Sequence, residues 1–282
     1  MLTFIAALIG LALTPVVGGL LAGVDRRVTA RLQSRFGPPI LQPFYDVLKL
    51  LGKAPMVVNS WQVMSAYIYV MSSALAVLLF FMQGDLLLLF FVMTIGAVFQ
   101  VVGALSVPSP YAQVGAQREL LQMLAYEPLI IVVFVGISMA TGSFKIADVY
   151  AMDKPLLLSM PFLFIALGYA LTIKLRKSPF DISACHHAHQ ELVRGVLTEY
   201  SGPHLALLEI GHWFDVVLIL GLCSLFWHTS IVGMVALLVV TYAAEILIDN
   251  ICARMTWPWM LKNVLGVGLV LSVFNLLWLY VS

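Results

Sequence analysis

Charged residues are scarce in this chain: Asp, Glu, Lys and Arg make up 10% of its 282 positions, against roughly 25% in an ordinary soluble domain. A formal net charge of +1 offers no basic field for nucleic acid. Cysteine is scarcer still. Cys185, Cys223 and Cys252 show no CxxC or other paired spacing, so they read as reduced, packed thiols and not as a disulfide frame or a cluster site. There is no Gly-rich phosphate loop, no sequence repeat and no low-complexity tract, and no serine or cysteine stands in a convincing nucleophile setting. These absences argue against catalysis by this chain alone. What it has in excess is apolar surface: 62% of residues are hydrophobic and the mean hydropathy is +1.01, as in an integral membrane protein.

A spanning helix needs roughly 20 mostly apolar residues. Runs of that kind fall at about 2–24, 62–83, 86–106, 117–141, 155–176, 204–227, 230–251 and 260–281. The expected fold is therefore all-α, a single polytopic domain of eight transmembrane helices covering residues 1–282. The first run is not read as a cleaved signal, because no positive residue precedes it and Arg26, Arg27, Arg31 and Arg35 follow it. With eight spans, those four arginines share one side with Lys49, Lys53, Arg118, Lys174, Arg176, Lys177, Arg194, Arg254 and Lys262. The other side holds only Lys145 and Lys154. The positive-inside bias then places both termini outside and the long connections 25–61 and 174–203 in the cytoplasm. Long connections with apolar residues and short amphipathic helices read as docked segments.

An ionisable side chain at the bilayer centre costs at least ~2.5–3.5 kcal/mol, so each one inside a span is a functional candidate. Glu127, Glu209, His212, Asp215, Glu245 and Asp249 qualify. Glu127 lies about 12 Å deeper than Glu119 on the fourth span, at ~1.5 Å per residue. Pro128 follows it, which deprives the Leu124 carbonyl of its helical donor and leaves a polar backbone group beside the acid. Glu209, His212 and Asp215 recur every third residue, close enough to share a proton or a water. Glu245 and Asp249 form an i,i+4 pair, so one of them is expected to hold its proton unless Arg254 or another base pairs with it. The bland alternative is hydrogen-bonding glue between helices. Six such groups on three spans favour an ion relay. Their position in the cytoplasmic half describes a half-channel whose exit for H+ or Na+ lies sideways, in a neighbouring subunit.

The first long connection reads RLQSRFGPPILQPFYDVLKLLGK from Arg31 to Lys53, and the second holds SPFD (Ser178 to Asp181) and ELVRGVLTEYSG (Glu191 to Gly202). With these motifs the chain resembles, over nearly its whole length, the membrane subunit shared by respiratory complex I and the group 4 membrane-bound [NiFe] hydrogenases. Complex I members tend to place a row of acids between PFD and ELV. Here the interval is ISACHHAHQ, with His186, His187 and His189, and both HHAHQELV and EILIDNICARMTW are similar to the energy-converting (Ech-type) hydrogenase branch. The resemblance implies a non-catalytic, ion-coupling subunit in a complex that oxidises ferredoxin, evolves H2 and exports H+ or Na+. Its partners would be the hydrogenase large and small subunits, an iron–sulfur ferredoxin-like subunit and an antiporter-like membrane subunit. The [NiFe] centre and [4Fe-4S] clusters would sit in those partners, with no metal here. The setting implied is the cytoplasmic membrane of a prokaryote.

On that resemblance Arg118 and Glu127, in QRELLQMLAYEP, match the family's arginine and buried glutamate, and Glu191 and Glu199 match the loop glutamates at the channel mouth. Asp46, Lys49, Asp181, Arg194 and the three histidines would face the hydrogenase arm. Asp46 and Lys49, at i,i+3, also read as a plain exposed ion pair, and Asp181 as a helix cap. The histidine cluster reads as a docking surface, with redox-linked protonation as a sharper alternative. A quinone-binding subunit of a complex I-type oxidoreductase is the rival within the family. An independent carrier and a pure membrane anchor are the rivals outside it.

Overall fold

The computed structural model describes residues 2–180, 183 and 194–281. Among them every regular element is a helix: α1 (Leu2–Leu32), α2 (Gln42–Leu51), α3 (Ser60–Phe81), α4 (Leu86–Leu105), α5 (Pro110–Thr141), α6 (Ile146–Tyr150), α7 (Leu156–Ser159), α8 (Pro161–Lys174), α9 (Gly202–Ser224), α10 (Ile231–Ile251), α11 (Trp257–Asn263) and α12 (Leu269–Val281). A 3₁₀ turn, Gly195–Leu197, precedes α9, and a π turn, Val264–Gly268, joins α11 to α12. The starts follow from local chemistry. Asn59 accepts from the Trp61 amide to begin α3, Asp85 accepts from the Leu87 and Leu88 amides to begin α4, and proline occupies the first turn of α2, α5, α8, α9 and α11.

Seven of the described helices are long and apolar enough to cross a membrane: Phe4–Leu32, Ser60–Phe81, Leu86–Leu105, Pro110–Thr141, Gly202–Trp227, Ile231–Ile251 and Trp257–Val281. The first runs past the expected end at 24 and the fourth begins before 117, because amphipathic turns extend each helix beyond its apolar run. The expected span at 155–176 is not one continuous helix. It breaks at Met160, where Pro161 disfavours helical geometry in the residue before it, and α8 alone is 14 residues. At ~1.5 Å per residue it reaches about 21 Å, short of the ~30 Å hydrocarbon core. Asn275 of α12 seals the break. Its Oδ1 accepts from the Phe162 and Leu163 amides at 3.0 and 3.1 Å, and its Nδ2 donates to the Ser159 carbonyl at 3.1 Å.

The bundle is organised around α3, which packs against α1, α4 and α9, while α5 bridges α4 to α8 and α12. Small residues set the close crossings: a Cβ on Gly18 would meet Trp213, and one on Gly211 would meet the Tyr69 ring. Amphipathic α2 lies across α9, where Phe44 meets the buried Trp213 edge to face at 5.4 Å. Trp213 therefore packs the core. The polar connections meet at one end of the bundle, tied by Met56 to Ser201, Asn59 to Ser106, Gln33 to Asn250 and Met255 to Pro179. Gly84 and Phe144 exchange backbone bonds with Ile146 and Leu86 at the other end, and His228 meets the Met152 carbonyl there at 2.8 Å.

Candidate functional site

A buried charged cluster lies where α3, α5, α8 and α9 converge. Asp215, 5% exposed, accepts hydrogen bonds from the Tyr69 hydroxyl at 2.9 Å and the Ser73 hydroxyl at 2.8 Å. Its cationic partner is Lys174, with Nζ 3.6 Å from Asp215 Oδ2 and 4.8 Å from the centre of the Tyr126 ring. Glu119 and Gln122 of α5 and Gln100 of α4 complete the walls of a small cavity here, with room for about a single water. Gln122 in turn holds the second connection in place, donating to the Phe180 carbonyl and accepting from the Ser183 hydroxyl. Glu127 lies one turn beyond Met123 on α5, half-buried, with Oε1 unpartnered, and the polar groups acting on it are Thr94 and Lys174.

A second cluster forms at the polar end. Lys177, just past α8, places Nζ 2.6 Å from Asp25 of α1 and 3.6 Å from Asp249 of α10. Asp249 also accepts from the Ser178 amide at 2.8 Å, so one lysine and one loop amide clamp α1, α8 and α10 together. Deeper on α10, buried Glu245 faces the Thr172 hydroxyl at 3.1 Å and leaves Oε2 without a partner. The clamp borders an open polar cavity of about 490 Å3, lined among others by Arg26, Arg35, Glu209, His212 and Arg254. A neighbouring cavity of about 260 Å3, under α2, contains Asp46, Lys49, Lys53, Arg194 and Glu209. His212 and Arg176 line both the open cavity and the buried one, and so stand between them.

The family described as NADH dehydrogenase matches residues 4–280. The chain belongs to that family. Hydrogenase-4 component C of Escherichia coli (strain K12) is 31% identical, over 97% of this chain and 90% of the relative. Formate hydrogenlyase subunit 4 of the same organism is 30% identical over 73% and 70%. NADH-ubiquinone oxidoreductase chain 1 of Arabidopsis thaliana is 27% identical over 79% and 74%. A chain in the structure of the membrane-bound sulfane sulfur reductase, an archaeal respiratory membrane complex, superposes with a TM-score of 0.85 at 25% identity, covering 99% of this chain and 100% of that one. This NADH dehydrogenase family member is a multi-pass membrane protein similar to subunits of hydrogenase-related and complex I-like assemblies.

The structure separates the sequence candidates into groups. Asp215 belongs to the buried cluster and Glu209 to the open cavities, and His212 lines the buried cavity with Asp215 and the larger open one with Glu209. The base that meets Asp249 is Lys177, and Glu245 faces Thr172. Asp46 is paired with Arg26 of α1 at 3.0 Å and with Gln42, correcting its reading as half of a pair with Lys49. Arg118 is half-buried on α5, Glu199 half-buried beside the 3₁₀ turn, and Arg194 exposed with a φ of +62°. Asp181, Cys185, His186, His187, His189 and Glu191 lie outside the described residues. Cys223 is a buried free thiol and Cys252 an exposed one. Among the described residues no three His, Cys, Asp or Glu are grouped to hold a metal ion.

Sequence reading missed Lys174, Tyr69, Ser73, Tyr126, Gln100 and Gln122. Lys174 reads as a snorkelling cation at a span end, and the others as ordinary polar residues inside apolar runs. The legible signal was periodicity: Gln62, Ser65, Tyr69, Ser72 and Ser73 recur at helical spacing along one face of α3.

Proposed function

We propose that this chain is the membrane-anchoring, ion-coupling subunit of an energy-converting [NiFe] hydrogenase complex, linking ferredoxin-dependent H2 evolution to translocation of H+ or Na+. The observation that carries the reading is the buried Lys174–Asp215 cluster, set behind His212 and Arg176 from an open polar cavity. Charges so placed are costly and rare, and where they occur they mark ion pathways. The similarity to Hydrogenase-4 component C and Formate hydrogenlyase subunit 4 supports the hydrogenase branch. In this reading the [NiFe] centre and [4Fe-4S] clusters belong to the hydrogenase large and small subunits and a ferredoxin-like subunit. An antiporter-like subunit alongside receives the ion. The host membrane is the cytoplasmic membrane of a prokaryote, with both termini outside and the polar end in the cytoplasm.

Glu127, Glu209, His212, Asp215, Glu245 and Asp249 act as relay members with Arg118, while Glu191 and Glu199 form the mouth. Asp46, Lys49, Asp181, Arg194 and the three histidines face the redox arm. The test is ion uptake by inverted vesicles carrying the whole complex, measured per H2 evolved. Glu127→Gln is expected to lower that ratio. Full uptake in that variant would leave a pure anchor as the better reading. The quinone-binding alternative is favoured by a quinone retained in the purified complex, and the genes encoding the partner subunits decide the branch.

A further inference from the structure

An apolar cavity of about 770 Å3 opens between α1, α3, α9 and α10. On α1 it runs from Val17 to Leu32, about 22 Å of helix at ~1.5 Å per residue, which exceeds the ~15 Å depth of one leaflet's hydrocarbon. Phe80 and Leu218 form its buried floor, and its rim is open, with Val24 37% and Val239 62% exposed. Of the 21 residues of α10 only Tyr242, Glu245 and Ile246 are buried, so the cavity takes the place of protein along much of that helix. Inside it, Ser224 and Tyr242 already donate to the Gly221 and Leu21 carbonyls, and water finds little to hold it. This is not the space under α2. Phe44 of α2 packs on Gly19, while Val17, Leu21, Val24 and Val28 lie on the opposite side of α1.

The cavity ends in positive charge. Past Leu32, Gln33 Nε2 donates to Asn250 Oδ1 at 3.0 Å and joins α1 to α10, and Arg35 donates to the same Gln33. Arg27 and Arg31 stand at i,i+3 from Val24 and Val28, on the flank of the lining stripe, and both are exposed. The acids at this end have other partners: Asp25 and Asp249 share Lys177, and Asp46 holds Arg26. Among the described residues none of Arg27, Arg31 and Arg35 stands in an ion pair.

We propose that the cavity seats a hydrocarbon chain of one anionic phospholipid, with its phosphate on Arg27, Arg31 and Arg35, and that this lipid holds α10 against the bundle. Guanidinium groups match phosphate oxygens in a bidentate way, and with the nearby acids already paired nothing described here would hold the cationic group of a zwitterionic head. Surface arginines alone would draw anionic lipids loosely. The cavity beneath them is what fixes one. A helix from a partner does not fit inside, because the Tyr242–Leu21 and Gln33–Asn250 bonds keep α10 too close to α1 to admit a rod of ~10 Å diameter. The chain instead supplies the packing that α10 lacks, on the helix that carries Glu245 and Asp249. The inference needs only a membrane and stands apart from the ion-coupling reading.

The test is native mass spectrometry of the intact, delipidated complex titrated with dioleoyl phosphatidylglycerol or dioleoyl phosphatidylcholine. One phosphatidylglycerol is expected to bind ahead of the rest and ahead of phosphatidylcholine. Arg27→Gln with Arg31→Gln should weaken that first site at least about tenfold, since each cation beside an anionic lipid contributes a factor of roughly five. Ala243→Phe, which fills the cavity from α10 without touching the arginines, should abolish it. Equal binding of the two lipids to the wild type, or a first site unchanged in both variants, would overturn the proposal. Should a variant fail to assemble, a map of the unmodified complex in phosphatidylglycerol nanodiscs decides. Chain density along Val17 to Leu32 ending in a phosphate peak beside Arg31 supports the lipid, and an empty cavity, a quinone or a partner's polypeptide there refutes it.

Discussion

Replacing Lys174 with Met tests whether the buried cluster is a coupled electrostatic unit. At 3.6 Å and an effective dielectric near 20, the attraction between Lys174 and Asp215 is about 5 kcal/mol, much of it offset by the desolvation of both groups. Removing the lysine leaves Asp215 without its buried cationic partner, with the Tyr69 and Ser73 hydroxyls still donating to it, and the expected loss of stability is roughly 3–5 kcal/mol. Adding Asp215→Asn to that variant removes that charge while keeping an oxygen for one hydroxyl, and is expected to recover about 2 kcal/mol. The measurement is reversible unfolding in mixed micelles by tryptophan fluorescence, on wild type, both single variants and the double variant. Losses that add within about 0.5 kcal/mol would show that the two groups do not interact, and the argument for a joined relay at this point would fall.

Further expectations concern how the elements around the site are held. Asn275→Leu leaves the Phe162 and Leu163 amides and the Ser159 carbonyl unsatisfied in the bundle interior, and should cost about 3 kcal/mol, read as lowered thermal stability in detergent. Gly23→Ala places a Cβ 1.8 Å from the Ile40 carbonyl oxygen; displacing the 33–41 connection should cost about 1–3 kcal/mol and expose it to limited proteolysis near Arg35. Trp213→Ala removes the side chain on which Phe44 rests and should cost about 3–5 kcal/mol, with α2 showing the earliest gain in amide exchange.

The spans were legible because their signal is local: twenty apolar residues announce a crossing whatever surrounds them. The break at Met160 was legible in principle, since Pro161 stands inside the run, but the partner that makes it tolerable, Asn275, is over a hundred residues away. The same holds for the site. Asp215 stood out as an acid in an apolar helix, yet Tyr69 and Ser73, separated from it by 146 and 142 positions, are ordinary until α3 is laid against α9. Lys177 read only as one more cation on the positive side, and Asp25, beside the arginines, was not singled out. Only the meeting of α1, α8 and α10 turns them into a clamp on Asp249.

That clamp bears on how a redox arm would act on buried charges. Lys177 and Ser178 follow α8 directly and hold Asp249, while Lys174, three residues earlier, holds Asp215. One short stretch thus fixes the cations of both clusters. Arg176, with a φ of +53°, sits between them in the sparsely populated left-handed region and lines both cavities. The same stretch leads into SPFD and the connection that, in the proposed complex, meets the hydrogenase arm. A movement of that connection would reach Lys177 and Lys174 together, because the two cations are three positions apart. Coupling through a displaced cation requires no conduction of electrons through this chain and no metal within it, only a stretch that belongs to both clusters.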